Sequence, residues 1–235
     1  MRRLLMLGLC IGLMQTSVWA KDAPSSVDKS IRHANADMAI KTIRTTPIAG
    51  LYELRVGNQL FYAEKTGRYL IAGGHIFDTE SKKDLTKARL EVINKVNWND
   101  LPLDKAIVSG DPDGKELAVF TDPDCPYCRQ LEKSLLDAKG IKIYTFLFPL
   151  ESLHPKARGH AASIWCAKNQ HAALQDLMLN GKKLPEGKCD TPIDAIQKLA
   201  ANYGIRGTPT MISRDGRKRS GAASPEQLLQ WLNNK

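Results

Sequence analysis

Cys125-Pro-Tyr-Cys128 is the place where residue type and spacing in this chain point most directly to chemistry. It follows a short apolar run, Leu117 to Thr121, and opens a stretch with helical spacing, Cys125 to Ala138. Cysteines three apart at a helix N-terminus can close a small disulfide ring. The first thiol faces the unpaired N–H groups and positive end of the helix dipole, which favour its thiolate. Pro126 suits the first turn, where its missing N–H costs nothing. Cys125 is therefore the expected exposed nucleophile and Cys128 the more buried resolving thiol. Attack on a disulfide leaves a mixed disulfide at Cys125, which is released by Cys128 or by a substrate thiol. Asp122 and Asp124, just ahead of the nucleophile, oppose its anion to a degree set by where their carboxylates point.

The same spacing also occurs in inert structural disulfides and in zinc sites. Zinc takes four ligands; His154 and His160 are candidates for the other two, but no second C-x-x-C accompanies them, and no metal or other cofactor is expected. Thr208-Pro209 favours the redox reading. It lies about 80 residues on, after a helical stretch and at the entrance to a strand, where a cis-proline beside the cysteines would expose backbone to an extended substrate.

The rest of the composition sets the context. A chain of 235 residues, 43% hydrophobic and 25% charged, is neither disordered nor collagen-like. Its cysteine count is five, and the odd one, Cys10, falls in residues 1–20. There Arg2 and Arg3 precede an apolar run from Leu4 to Met14, and Val18 and Ala20 fit a small-residue cleavage site. The run is too short to span a bilayer and reads as a secretory signal peptide. Its removal leaves 215 residues and four cysteines, an expected soluble, exported product without membrane insertion, and an oxidising compartment. The formal charge of +9 falls by two with the loss of Arg2 and Arg3. Lys and Arg are otherwise scattered, and Arg217-Lys218-Arg219 reads as a solvated hairpin turn, so no nucleic-acid partner is expected.

Two patterns divide the remaining chain. Residues 26–47 read as helix and then extended chain, and Gly50 to Phe77 as a small antiparallel meander with turns at Gly57-Asn58 and Thr66-Gly67. Such a region has a marginal core by size alone, and either a second copy or the rest of its own chain could cover its exposed face. Ser81 to Asn97 has one apolar helical face. Asn97 to Gly114 is turn-rich and reads as a boundary. Beyond it the pattern is α/β: strands at Leu117 to Thr121 and Ile141 to Leu147, a helical stretch from Pro155 to Leu179, and a helix at Ile193 to Tyr203. A hairpin of Pro209 to Ser213 with Arg217 to Gly221, then a helix at Pro225 to Leu232, complete it.

These residues resemble the DsbC/DsbG family of periplasmic thiol:disulfide interchange proteins. The similarity includes Phe120-Thr-Asp ahead of Cys125-x-Tyr-Cys128, Ile164-Trp-Cys-Ala-Lys168 and Gly204-x-x-Gly-Thr-Pro209. The resemblance implies a mixed α+β and α/β fold. A cystatin-like dimerisation domain would occupy residues 21–80, a linker helix 81–101, and a thioredoxin-like catalytic domain with a helical insertion 102–235. It implies a homodimer with an apolar cleft, acting on misfolded or misoxidised exported proteins and kept reduced by a membrane thiol reductase of the DsbD type. Cys166 and Cys189 would form a structural disulfide, with a second redox pair as the other possibility for them. Pro126, Tyr127, Thr208 and Pro209 would face the substrate. DsbC-type members usually carry Gly-Tyr between the cysteines, whereas Pro-Tyr is more typical of the DsbG type and of glutaredoxins. The leading expectation is a periplasmic disulfide isomerase; the alternatives are a DsbG-like reductant of oxidised single cysteines, a net oxidase, or a chaperone that binds unfolded chains.

Overall fold

The computed structural model describes residues 21–136 and 138–233; the expected signal peptide, residues 1–20, lies outside them. The chain divides into two compact units between Leu90 and Glu91. In the first, helix α1 (Ser25–Ala34) lies against a four-stranded antiparallel sheet, β1 (Ile40–Thr45), β2 (Leu51–Val56), β3 (Gln59–Glu64) and β4 (Leu70–Ala72), in that spatial order. Ile31 of α1 is fully buried with Ile40, Ile43, Leu54 and Ala63 from the sheet. Gly67 makes this packing possible. It has φ +76°, and a Cβ there would sit 2.8 Å from the Ile31 Cα. The Asn35 side chain donates to the Gly67 carbonyl at 2.9 Å, which ties the helix end to the β3–β4 turn.

A short ribbon, β5 (Phe77–Asp78) with β6 (Lys83–Asp84), leads into helix α2 (Leu85–Ile93). This helix is shorter than the spacing from Ser81 to Asn97 predicts. Asp84 is already paired as strand, and its carboxylate accepts from Lys87 N at 2.8 Å, so it caps the helix there.

The second unit is a five-stranded sheet in the order β11-β10-β8-β9-β7, where β7 is Ile107–Gly110, β8 Lys115–Thr121, β9 Ile141–Leu147, β10 Thr210–Ser213 and β11 Lys218–Ser220. Only β8 and β9 are parallel, and α3 (Pro126–Leu136) is their crossover. Alternation along the central strands divides the core between the faces. Leu117, Val119, Ile143 and Met211 pack with Leu131 and Leu135 of α3 and Leu228 of α7 (Pro225–Asn233). Ala118, Phe120, Phe146 and Ile212 pack with Ile196 and Ala200 of α6 (Ile193–Asn202). Between β9 and α6 come α4 (Ala157–Trp165) and α5 (Gln170–Met178), the helical insertion.

Two segments differ from their sequence reading. The stretch from Pro155 to Leu179 is two helices, because Asn169 starts α5 by accepting from Ala172 N at 3.0 Å. The turn-rich segment 97–114 carries the edge strand β7 and buries Trp98, Leu101, Ala106 and Ile107 in the second unit. It is anchored by Val96 N donating to the Gly216 carbonyl at 2.9 Å.

Candidate active site

The turn Asp122–Cys125 joins the end of β8 to the start of α3, so the cysteine pair sits at a strand's C-terminal end and a helix's N-terminus. Cys125 N donates to the Asp122 carbonyl at 3.1 Å, and the Cys125 carbonyl accepts from Arg129 N at 3.1 Å as the helix begins. Both cysteines are free thiols and both are buried, 6% and 1% exposed, so Cys125 is not the exposed thiol that the sequence leads one to expect. It lies under the turn beside Thr208, whereas Tyr127 between the two cysteines is 63% exposed. Pairing of Thr210 with Phe120 in the β10–β8 ladder brings residues distant in sequence to the same sheet end. The Thr208–Pro209 peptide there is cis. The Cys125 thiol points at the Thr208 carbonyl, Sγ to O 3.5 Å.

Cys128 lies deeper. Its Sγ accepts from Asp122 N at 3.4 Å. Burial pushes its thiol up to about 12, and the Thr121 hydroxyl and the Asp122 N–H offset this only in part.

The two aspartates are engaged by the chain between β9 and α4. Asp122, fully buried, accepts from Asp124 N at 2.8 Å on one oxygen and from Leu150 N at 2.7 Å on the other, which is also 3.0 Å from His154 Nδ1. Asp124 is 2.6 Å from His160 Nδ1. The H-x5-H spacing of these histidines is compatible with zinc, yet each is held by an aspartate. Among the described residues no group of three or more His, Cys, Asp or Glu is placed to hold a metal.

Cys166, at the end of α4, is disulfide-bonded to Cys189 with Cα atoms 5.7 Å apart. The bridge closes a loop of 23 residues, for which chain entropy gives roughly 3.5 kcal/mol. Beside it Gly187 N donates to Ser163 Oγ at 3.3 Å, so the bridge holds the polar 180s loop against α4.

Glu132 was not singled out from the sequence. One helical turn beyond Cys128 and only 9% exposed, it has its carboxyl pushed up to about 7 by burial. A charged residue next to Leu131 in the apolar stripe of α3 was the available signal.

A thioredoxin-like domain model matches residues 103–235, and a disulfide bond isomerase N-terminal domain model matches 18–87. The chain is 34% identical over 190 residues to a probable thiol:disulfide interchange protein DsbC of Bordetella pertussis, covering 80% of this chain and 67% of that one. It is 28% identical over 212 residues to the thiol:disulfide interchange protein DsbC of Escherichia coli K12, covering 87% of each. Among solved structures, a disulfide interchange protein from Neisseria gonorrhoeae superposes with a TM-score of 0.53 at 36% identity, over 56% of this chain and 96% of that one. A helix-on-sheet N-terminal unit, a thioredoxin-like unit and a C-x-x-C at its strand-to-helix turn thus occur together in a chain that belongs to the DsbC family of thiol:disulfide interchange proteins.

Proposed function

We propose that this protein isomerises wrong disulfides in exported proteins, with Cys125 as nucleophile and Cys128 as resolving thiol. The carrying observation is the asymmetry of the pair. Cys125 opens the helix beside the Thr208 carbonyl, while Cys128 is buried behind it with its thiol pushed up to about 12. The Cys125 thiolate attacks one client sulfur; a Cys125–client disulfide forms and the other client sulfur leaves as thiolate. A different client thiolate then attacks the client sulfur of that bond, forms a new client disulfide and returns Cys125. No net electrons are used. If Cys128 attacks Cys125 instead, the client leaves reduced, and the two electrons it gained must be replaced by an external thiol reductant. Burial disfavours the Cys128 thiolate, which slows that exit and favours rearrangement.

Pro126 and the exposed Tyr127 flank the attacking sulfur, and the backbone at Thr208 and Pro209 supplies the edge along which a client strand pairs. Cys166–Cys189 serves as a structural staple. The signal-like residues 1–20 support a periplasmic location, and no helix among the described residues is long and apolar enough to cross a membrane. A membrane thiol reductase of the DsbD type would supply electrons, and two copies would pair through the N-terminal units.

Refolding of a scrambled disulfide protein tests the assignment. Cys125→Ala is expected to abolish unscrambling while still suppressing aggregation of a cysteine-free client. Cys128→Ser is expected to keep unscrambling within a few-fold in a thiol buffer and to lose net reduction. Unscrambling by Cys125→Ala would leave a chaperone without thiol catalysis as the reading. Loss in Cys128→Ser as complete as in Cys125→Ala would assign the protein to the reductants.

A further inference from the structure

Thiol exchange gives no role to this chain's surplus of cations, yet several of them gather beside the cysteine pair. A groove of about 480 Å³ carries Arg129, Lys156, Lys182 and Lys183, with Leu177 and Leu184 as its apolar lining. It begins at the active turn: Asp124, which precedes Cys125, also lines it, as does Arg129, which follows Cys128. Asp124, its acid, is already held by His160 at 2.6 Å. Lys182 is paired with Asp176 at 2.8 Å. The side chains of Arg129, Lys156 and Lys183 have no carboxylate partner among the described residues. Three cations with no ion-pair partner among the described residues therefore converge from three parts of the chain, α3, the start of α4 and the loop stapled by Cys166–Cys189.

We propose that this groove receives the acidic flank of a client polypeptide, so that the protein acts preferentially on disulfides with Asp or Glu within a few residues of the cysteine. The assignment rests on Cys125 being the exchanging thiol. A strand docked at Thr208 with its cysteine at Cys125 must continue past the active turn. Carboxylates on it would meet Arg129 first and the two lysines beyond, while its apolar side chains would lie on Leu177 and Leu184. Exposed charges of this kind act through encounter rate and are screened by salt, with a Debye length of about 10 Å at 0.1 M. Clustered in a cleft they raise association of an opposite charge by at least about tenfold at low ionic strength.

The test uses three fluorogenic disulfide peptides of one length, with Asp/Glu, Gln or Lys flanking the cysteine, and glutathione disulfide as a small anionic comparison. At about 0.05 M salt, kcat/KM is expected to fall in the order acidic, neutral, basic, with about tenfold between the ends. The spread is expected to collapse to within about twofold at 0.5 M salt and in Lys156→Gln/Lys183→Gln. Equal rates for the three peptides overturn the proposal alone, as does an acidic preference that survives the double substitution. A preference confined to glutathione disulfide also overturns it, because the groove would then serve a small anionic thiol. Absence of exchange with every probe removes the Cys125 reading, and this proposal with it.

Discussion

At the scale of single residues the site works by holding similar groups in unlike surroundings. Two buried thiols three residues apart differ in partners, and two aspartates two residues apart are held by different histidines. The motif and its placement at a helix start were legible in the sequence because strand, turn and helix periods follow one another without interruption from Leu117. The directions of the Asp122 and Asp124 carboxylates were not, since the groups that bind them, Leu150 N, His154 and His160, come from a segment whose position depends on the whole sheet. Glu132 gives a sharp expectation at this scale. Its carboxyl is raised from 4.5 to about 7 by burial, so between those values the folded chain holds a proton that the unfolded chain has lost. Stability is therefore expected to fall as pH rises through this window and to level off above it. At 1.36 kcal/mol per pH unit the loss is on the order of 1–3 kcal/mol. Glu132→Gln should remove the slope and melt higher than the parent at pH 8. Equal melting temperatures at pH 8, measured by calorimetry, would mean that the carboxyl is solvated in the folded protein.

At the scale of elements, the fold is legible in the sequence where long apolar periods determine the outcome and illegible where short contacts do. β8, β9, α3 and α6 lie where their spacing predicts. β7 was hidden, because four residues with Val108 half-exposed at a sheet edge, between Pro102 and Gly114, carry almost no periodic signal. The limits of α2 were hidden as well, since the cap at Asp84 depends on pairing with Phe77–Asp78. What holds α2 to the first unit is polar. Tyr62 and Thr86 share a buried hydroxyl bond of 2.5 Å, and Arg89 Nε donates to the fully buried Glu53 at 3.1 Å. Burial raises the Glu53 carboxyl, and Arg89 opposes that rise. Arg89→Ala leaves a buried carboxylate without its partner and should cost about 3–5 kcal/mol at pH 7. Protonation relieves the charge, so the deficit should shrink as pH is lowered towards 4. The described tryptophans, Trp98, Trp165 and Trp231, all lie in the second unit. The substitution should therefore move the urea transition seen by far-UV circular dichroism and leave the tryptophan transition in place. Coincident shifts of both signals would show that the two units unfold together.

At the scale of the whole molecule, the first unit is small and has an apolar rim. Its sheet ends at β4, whose residues are all exposed, with Leu70 38% and Ile71 49% accessible and Tyr69 65% accessible just before it. An unpaired edge of this kind invites another strand. A second copy, the occupant proposed above, would add surface to a core that is marginal by size. Dimerisation also suits isomerisation, because a client must stay held while its own thiols exchange, whereas a small disulfide peptide needs only one active site. Sedimentation equilibrium at micromolar concentration is thus expected to give twice the chain mass. Leu70→Lys/Ile71→Lys, which places two charges on the edge, should give a monomer. That monomer should exchange disulfide peptides at the parental rate, because β4 belongs to a different sheet and unit from Cys125, yet unscramble a multi-disulfide client several-fold more slowly. A parent that sediments as a monomer would remove the pairing role of β4. A monomeric variant that unscrambles at the parental rate would show that one active site suffices to hold the client through the rearrangement.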